Sequence, residues 1–248
     1  MEPEVCIVEM IMEGIYKVFK NGVTFLICTP QELFVHLGGK AHLLLLVPSE
    51  IDPVRIKRLA GRMFVEGKVN SMCVMYSAVA TSFALGLPSL LSISIFSIDN
   101  SVYKCNLDIV SKSCLEYNKS RSVQGDFNGI MDEISKALES PLSRSLGIKE
   151  VYIKGTEEMR KRITGRLEEM GMLRKEDEDE YGLGIFRGYS LAALPSYFKR
   201  YMPHNMIEGS DLSYVGGVLT TMINYFEIKE VATREDFEAG STKHLILN

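Results

Sequence analysis

Two runs of strand signal, Val5–Cys28 and Leu91–Val110, are each followed by a helix–strand–helix pattern, and this recurrence constrains the fold most. In the first run, Val5–Phe19 is strand-like, Asn21-Gly22 is a two-residue hairpin turn, and Val23–Cys28 returns. In the second, Leu91-Ser92-Ile93-Ser94-Ile95 alternates strictly, as a strand with one buried face must. The implied class is α/β with mixed sheets. The expected organisation is two similar halves, residues 1–87 with 211–248 and residues 88–210, each a meander followed by crossover helices. At 248 residues and 46% hydrophobic content, the chain can bury one large core or two modest ones.

The segments between the runs carry clear punctuation. His42–Val47 is an unbroken apolar run, read as a buried strand. Asp52-Pro53 starts a helix with Asp as N-cap and Pro at the first helical position, turning Val54, Ile56, Leu59 and Met63-Phe64 inward. Val74–Leu85 reads as a compact apolar helix closed by Gly86. Asp126 caps a helix with Phe127, Ile130-Met131, Ile134 and Leu138 on one face. A strand, Glu150–Lys154, leads to Gly155-Thr156 and a helix burying Met159, Ile163, Leu167 and Met170, with Gly171 at its end. Near the C-terminus, strand-like Ser213-Tyr214-Val215 runs into Gly216-Gly217. A helix follows with Val218, Met222 and Tyr225 in one row and Leu219, Ile223 and Phe226 in the next. Thr233 is the expected N-cap of a last short helix with Glu235 and Asp236 in its first turn.

Several function classes find no support. The four histidines are scattered, with no HExxH spacing. The five cysteines lack CxxC spacing and are read as mostly buried free thiols of a reducing compartment. No GxSxG elbow occurs. A net charge of -4 with mixed signs gives no nucleic-acid footprint. With no apolar run long enough to span a membrane and no leader pattern, the expectation is a soluble intracellular chain.

Three stretches in order resemble actins and actin-related proteins. Ser213–Gly240 is similar to the family's Trp-Ile-Gly-Gly element and following helices, with Tyr214 at the Trp position. His42–Gly86 resembles its strand, Pro-started helix and Met-Phe-Glu end, here Met63-Phe64-Val65-Glu66. Phe127-Asn128-Gly129-Ile130-Met131 resembles Phe-Asn-Ser-Ile-Met, and Gly155-Thr156 keeps part of a Gly-Gly-Thr loop. The resemblance implies an actin-like ATPase fold of two ribonuclease-H-like halves, reduced to the two large subdomains. One small subdomain has no room before His42. The other is replaced by a polar loop, 111–125. Residues 174–209 form an extended loop, whose Tyr197–Met202 piece is a candidate contact surface.

The phosphate loops depart from the family. Glu9-Met10-Ile11-Met12-Glu13-Gly14 puts bulky side chains and two carboxylates where glycines would cradle phosphate. Phe96-Ser97-Ile98-Asp99-Asn100 stands where Asp-Ser-Gly-Asp-Gly would be, and Lys154 replaces a glycine of the adenosine loop. The expectation is a protein with no ATPase activity, no catalytic residues, no metal and no cofactor. Asp99, Gly155, Thr156, Gly216 and Gly217 are degenerate remnants. The resemblance further implies a non-polymerising subunit of a multiprotein assembly, with a partner helix docking in a groove between the large subdomains. Leu87, Leu219, Ile223 and Tyr225 are its candidate anchors. A nuclear chromatin-remodelling or histone-acetyltransferase complex is preferred over a cytoplasmic dynactin-type pointed-end complex. The alternative is an actin-fold protein that still binds Mg-ATP through rearranged loops and contributes to a cytoskeletal filament.

Overall fold

Alternating and unbroken apolar runs become the strands of two separate mixed sheets in the computed structural model. It describes residues 5–20, 23–37, 42–99, 101–173, 189–192, 212–224, 231–240 and 246–247. In the first sheet, β1 (Val5–Met12), β2 (Ile15–Lys20) and β3 (Val23–Ile27) form an antiparallel meander. After α1 (Pro30–Leu37), β4 (His42–Val47) lies parallel to β1. After α2 (Pro53–Val65), β5 (Ser71–Tyr76) lies parallel to β4, giving the order β3-β2-β1-β4-β5. α3 (Ser77–Leu85) follows β5 directly.

The second sheet repeats this plan. β6 (Leu90–Ser97) and β7 (Tyr103–Ser111) are antiparallel, and β7 also pairs with β8 (Cys114–Leu115) and β9 (Arg121–Gly125). After α4 (Phe127–Glu139) and α5 (Pro141–Ser145), β10 (Glu150–Lys154) lies parallel to β6. After α6 (Glu157–Glu169), β11 (Ser190–Leu191) lies parallel to β10. Read through β9, the order β9-β7-β6-β10-β11 matches the first sheet strand for strand. α7 (Leu212–Asn224), β12 (Ala232–Thr233), α8 (Arg234–Glu238) and β13 (Ile246–Leu247) complete the described elements. β12 and β13 both pair with β5.

Local chemistry explains the boundaries. The Asp52 carboxylate accepts from the Val54 N–H at 2.7 Å, and Asp126 accepts from the Gly129 N–H at 2.9 Å. Gly86 closes α3 at φ 68°, a left-handed conformation that a Cβ would disfavour. Thr233 and Asp236 form a reciprocal capping box on α8.

The two cores are distinct. Leu44, Leu45, Phe64 and Val74 belong to the first; Ile93, Leu107, Ile134 and Ile163 belong to the second. Tyr152 of β10 joins the first core, whereas its neighbours Val151 and Ile153 join the second. The second sheet therefore turns one face to its own helices and the other to the first half.

Several sequence expectations are corrected. Ser213-Tyr214-Val215 is not a strand, because Leu212–Asn224 is one continuous helix and the glycine pair lies inside it. Val74-Met75-Tyr76 is the end of β5 rather than the start of α3, since a fully buried strand and a buried helix look alike in hydropathy. The 111–125 stretch is not a plain loop; it holds β8 and β9, and β9 supplies the third strand of the second meander. Val54 and Met170, expected inside, are 61% and 43% exposed, each at a helix end. Met222 and Ile223 lie on α7, but their side chains fall outside the described residues, as do Tyr225, Phe226 and Tyr197–Met202.

Candidate functional site

α3 links the two sheets, reaching β7 and β8 of the second, and α7 packs across it. A Cβ built on Gly216 would stand 1.7 Å from the Ala80 carbonyl oxygen, so backbone touches backbone there. The adjacent Gly217 presses the same turn of α7 onto the first sheet, with Leu44, Leu46 and Ile7 all within 3.5 Å of its would-be Cβ. Tyr214 on the same helix stacks on Phe19 of β2 at 4.0 Å. α7 follows the second sheet in the chain yet packs on β1 and β4 of the first. α3 follows the first sheet and reaches β7 and β8 of the second.

Beside this crossing lies a polar seam. Period-2 alternation puts Cys105, Leu107 and Ile109 of β7 in the second core and turns Lys104, Asn106 and Asp108 to the other face. On β10 the same alternation turns Tyr152 and Lys154 the same way, and on β6 it turns Ser92 and Ser94. The first half answers with Glu9 in the middle of β1 and with Ser49-Glu50 between β4 and α2.

Polar contacts pin the seam beside the apolar ones made by Tyr152, Leu90 and Val110. Lys154 Nζ lies 2.5 Å from Glu9 Oε1 and donates to Ser213 Oγ at 3.1 Å. The Ser213 hydroxyl donates to the same Glu9 oxygen at 2.7 Å. Lys104 Nζ donates to Glu50 Oε1 at 2.7 Å, and the Ser49 hydroxyl donates to Asp108. Glu9 is 2% exposed, Ser213 1% and Asp108 4%, so these are interior groups.

Electrostatics follows from that burial. Burial would raise the Glu9 carboxyl, but the Lys154 charge, with hydrogen bonds from Lys154 and Ser213, outweighs it and holds Glu9 below the ordinary carboxylate value. Among the described residues no cation pairs with Asp108, and burial pushes it up to about 7 against the opposing Ser49 hydrogen bond. Burial lowers Lys17, the residue opposite Glu9 on β2, while Glu9 opposes the shift. Glu9 Oε2 and Asn106 Oδ1 are buried acceptors with no hydrogen-bond partner among the described residues.

The expected site residues are only partly brought together. Gly155 sits at the end of β10, its would-be Cβ 3.4 Å from the Ile95 carbonyl, and Thr156 caps α6 by accepting from the Met159 N–H at 3.3 Å. The Lys154–Ser213 contact joins this corner to the helix of Gly216 and Gly217. Asp99 lies in the exposed β6–β7 turn, with its N–H bonded to Val102 O. Leu87 is half-buried against the first core just past α3, and Leu219 is half-buried on α7. The side chain of Ile223 and all of Tyr225 fall outside the described residues.

Glu9 differs from its sequence reading. It is not an uncompensated repeller of phosphate, because Lys154 neutralises it; only Glu13 is an exposed carboxylate, and it pairs with Arg55 at 2.9 Å. Ser49, Glu50, Lys104 and Asp108 were not anticipated, although Lys104-x-Asn106-x-Asp108 within an otherwise apolar strand was a visible signal.

No protein-family model matches the chain, and no curated protein matches it. Among the described residues there is no group of three or more His, Cys, Asp or Glu placed to hold a metal. No helix among them is long and apolar enough to cross a membrane.

Proposed function

We propose that this chain is a divergent, shortened actin-related protein, an actin-like fold of two ribonuclease-H-like halves reduced to its two large subdomains. Residues 1–87 with 211–248 would form one subdomain and 88–210 the other. The observation that carries this reading is the repeated strand order, β3-β2-β1-β4-β5 and β9-β7-β6-β10-β11, with α7 packed on the first sheet and α3 reaching the second. A shared meander-then-crossover plan with a helix after each fifth strand is a narrow topological choice.

The proposed role is that of a non-polymerising structural subunit without ATPase activity. The Lys154–Glu9 pair supports the loss of nucleotide chemistry. An ammonium already matched to a buried carboxylate is a poor partner for phosphate. Partner helices would dock beside the α3–α7 crossing, on Leu87, Leu219, Ile223 and Tyr225. A nuclear remodelling or acetyltransferase complex is the preferred assembly, and the dynactin-type pointed end comes second.

Affinity purification of wild type against Leu219→Asp/Ile223→Asp tests the role. The expected result is a stoichiometric partner set with wild type that is lost in the variant while its thermal melt stays unchanged. A collapsed melt places these residues in the core and removes the groove. Calorimetric titration with Mg-ATP tests the rest, and micromolar binding overturns the loss of nucleotide chemistry.

A further inference from the structure

We propose that the seam is a built-in lock, formed by Glu9–Lys154–Ser213, Ser49–Asp108 and Glu50–Lys104, that holds the two sheets closed on each other in one register. Glu9 and Ser213 are 204 residues apart in sequence, and Lys154 reaches both from the second sheet. The contacts therefore exist only when both sheets and α7 are docked.

Buried ion pairs add little net stability, because desolvation offsets attraction. Their effect is on register. Apolar burial and the contacts of α3 with β7 and β8 favour closure, and the charges decide which closure is allowed. Any slip of one half past the other would leave Glu9 buried without its cation, a state that burial penalises heavily. The Glu50–Lys104 and Ser49–Asp108 contacts fix a second point, so rotation about the first is also blocked.

The inference rests on the seam geometry and not on the family reading, so nucleotide titration and the following test fail separately. Hydrogen exchange with mass spectrometry is measured on the full chain, comparing wild type, Lys154→Met and Glu9→Met/Lys154→Met. In Lys154→Met, amides of α3, α7 and β10 should exchange on the order of a hundredfold faster, while those of α2 and α4 stay near wild type. The double variant should return the seam amides close to wild-type rates, since it removes both charges. If Lys154→Met does not fold, Glu9→Gln serves in its place and should show a smaller rise confined to the same elements. Unchanged exchange, a rise spread evenly over both cores, or a double variant as open as Lys154→Met would each overturn the lock.

Discussion

Gly216 and Ala80 meet without room for a methyl group between them: a Cβ on Gly216 would lie 1.7 Å from the Ala80 carbonyl oxygen and 2.4 Å from its carbon. The obstacle is backbone, which cannot rotate away, so the two helices would have to separate. Gly216→Ala should cost about 3 kcal/mol in chemical denaturation, at the upper end of ordinary overpacking. Gly165 provides the contrast, because nothing lies within 4 Å of its would-be Cβ on α6. Gly165→Ala should stabilise by roughly 0.5–1 kcal/mol through helix propensity.

Asp108 makes stability pH-dependent in an unusual direction. Its folded value is raised from 3.8 to about 7, so between those limits the folded state holds more protons than the unfolded state. Its contribution is therefore largest at the acid side and declines as pH rises through about 7. Urea midpoints across pH 5 to 8 should fall in wild type relative to Asp108→Asn, which keeps an acceptor for Ser49. Parallel curves for the two proteins would refute this. Glu9 acts oppositely, because its folded value is lowered from 4.5: its contribution is present above 4.5 and is lost on acidification through the folded value.

The cysteines should divide by accessibility. Cys28 and Cys114 are exposed, and Cys6, Cys73 and Cys105 are buried. A thiol reagent at neutral pH should label the first pair quickly and the other three only after denaturation. Cys105 should be slow on both counts, since burial pushes its thiol up to about 12.

The capping box on α8 gives a local prediction. Thr233 Oγ1 accepts from the Asp236 N–H at 3.1 Å, and Asp236 accepts from the Thr233 N–H at 3.1 Å. Thr233→Ala should cost about 1 kcal/mol by thermal melt, with no change in the exchange of α3 or α7.

Much of the architecture was legible because its signals are local. The caps at Asp52, Asp126, Thr156 and Thr233 and the left-handed Gly86 were all readable before any tertiary contact was known. The errors fell where tertiary context decides. Ser213-Tyr214-Val215 has β-branched and aromatic character, yet Phe19 and Ala80 hold it in a helix. The seam was the least legible part, because the sequence places Glu9, Lys154 and Ser213 far apart and only the topology brings them together. The four groove residues are unevenly placed: Leu87 packs on the first core, and Leu219 is half-buried.

The packing of α7 on the first sheet has a consequence for synthesis. As the chain leaves the ribosome, β1 through β5 appear first, but the helix that packs on β1 and β4 is the late segment Leu212–Asn224. Until that segment arrives, the face of β1 carrying Ile7 and Glu9 lacks its cover, and Glu9 lacks Ser213. The early half is thus committed to wait, and a fragment ending before α7 should bind chaperones rather than fold.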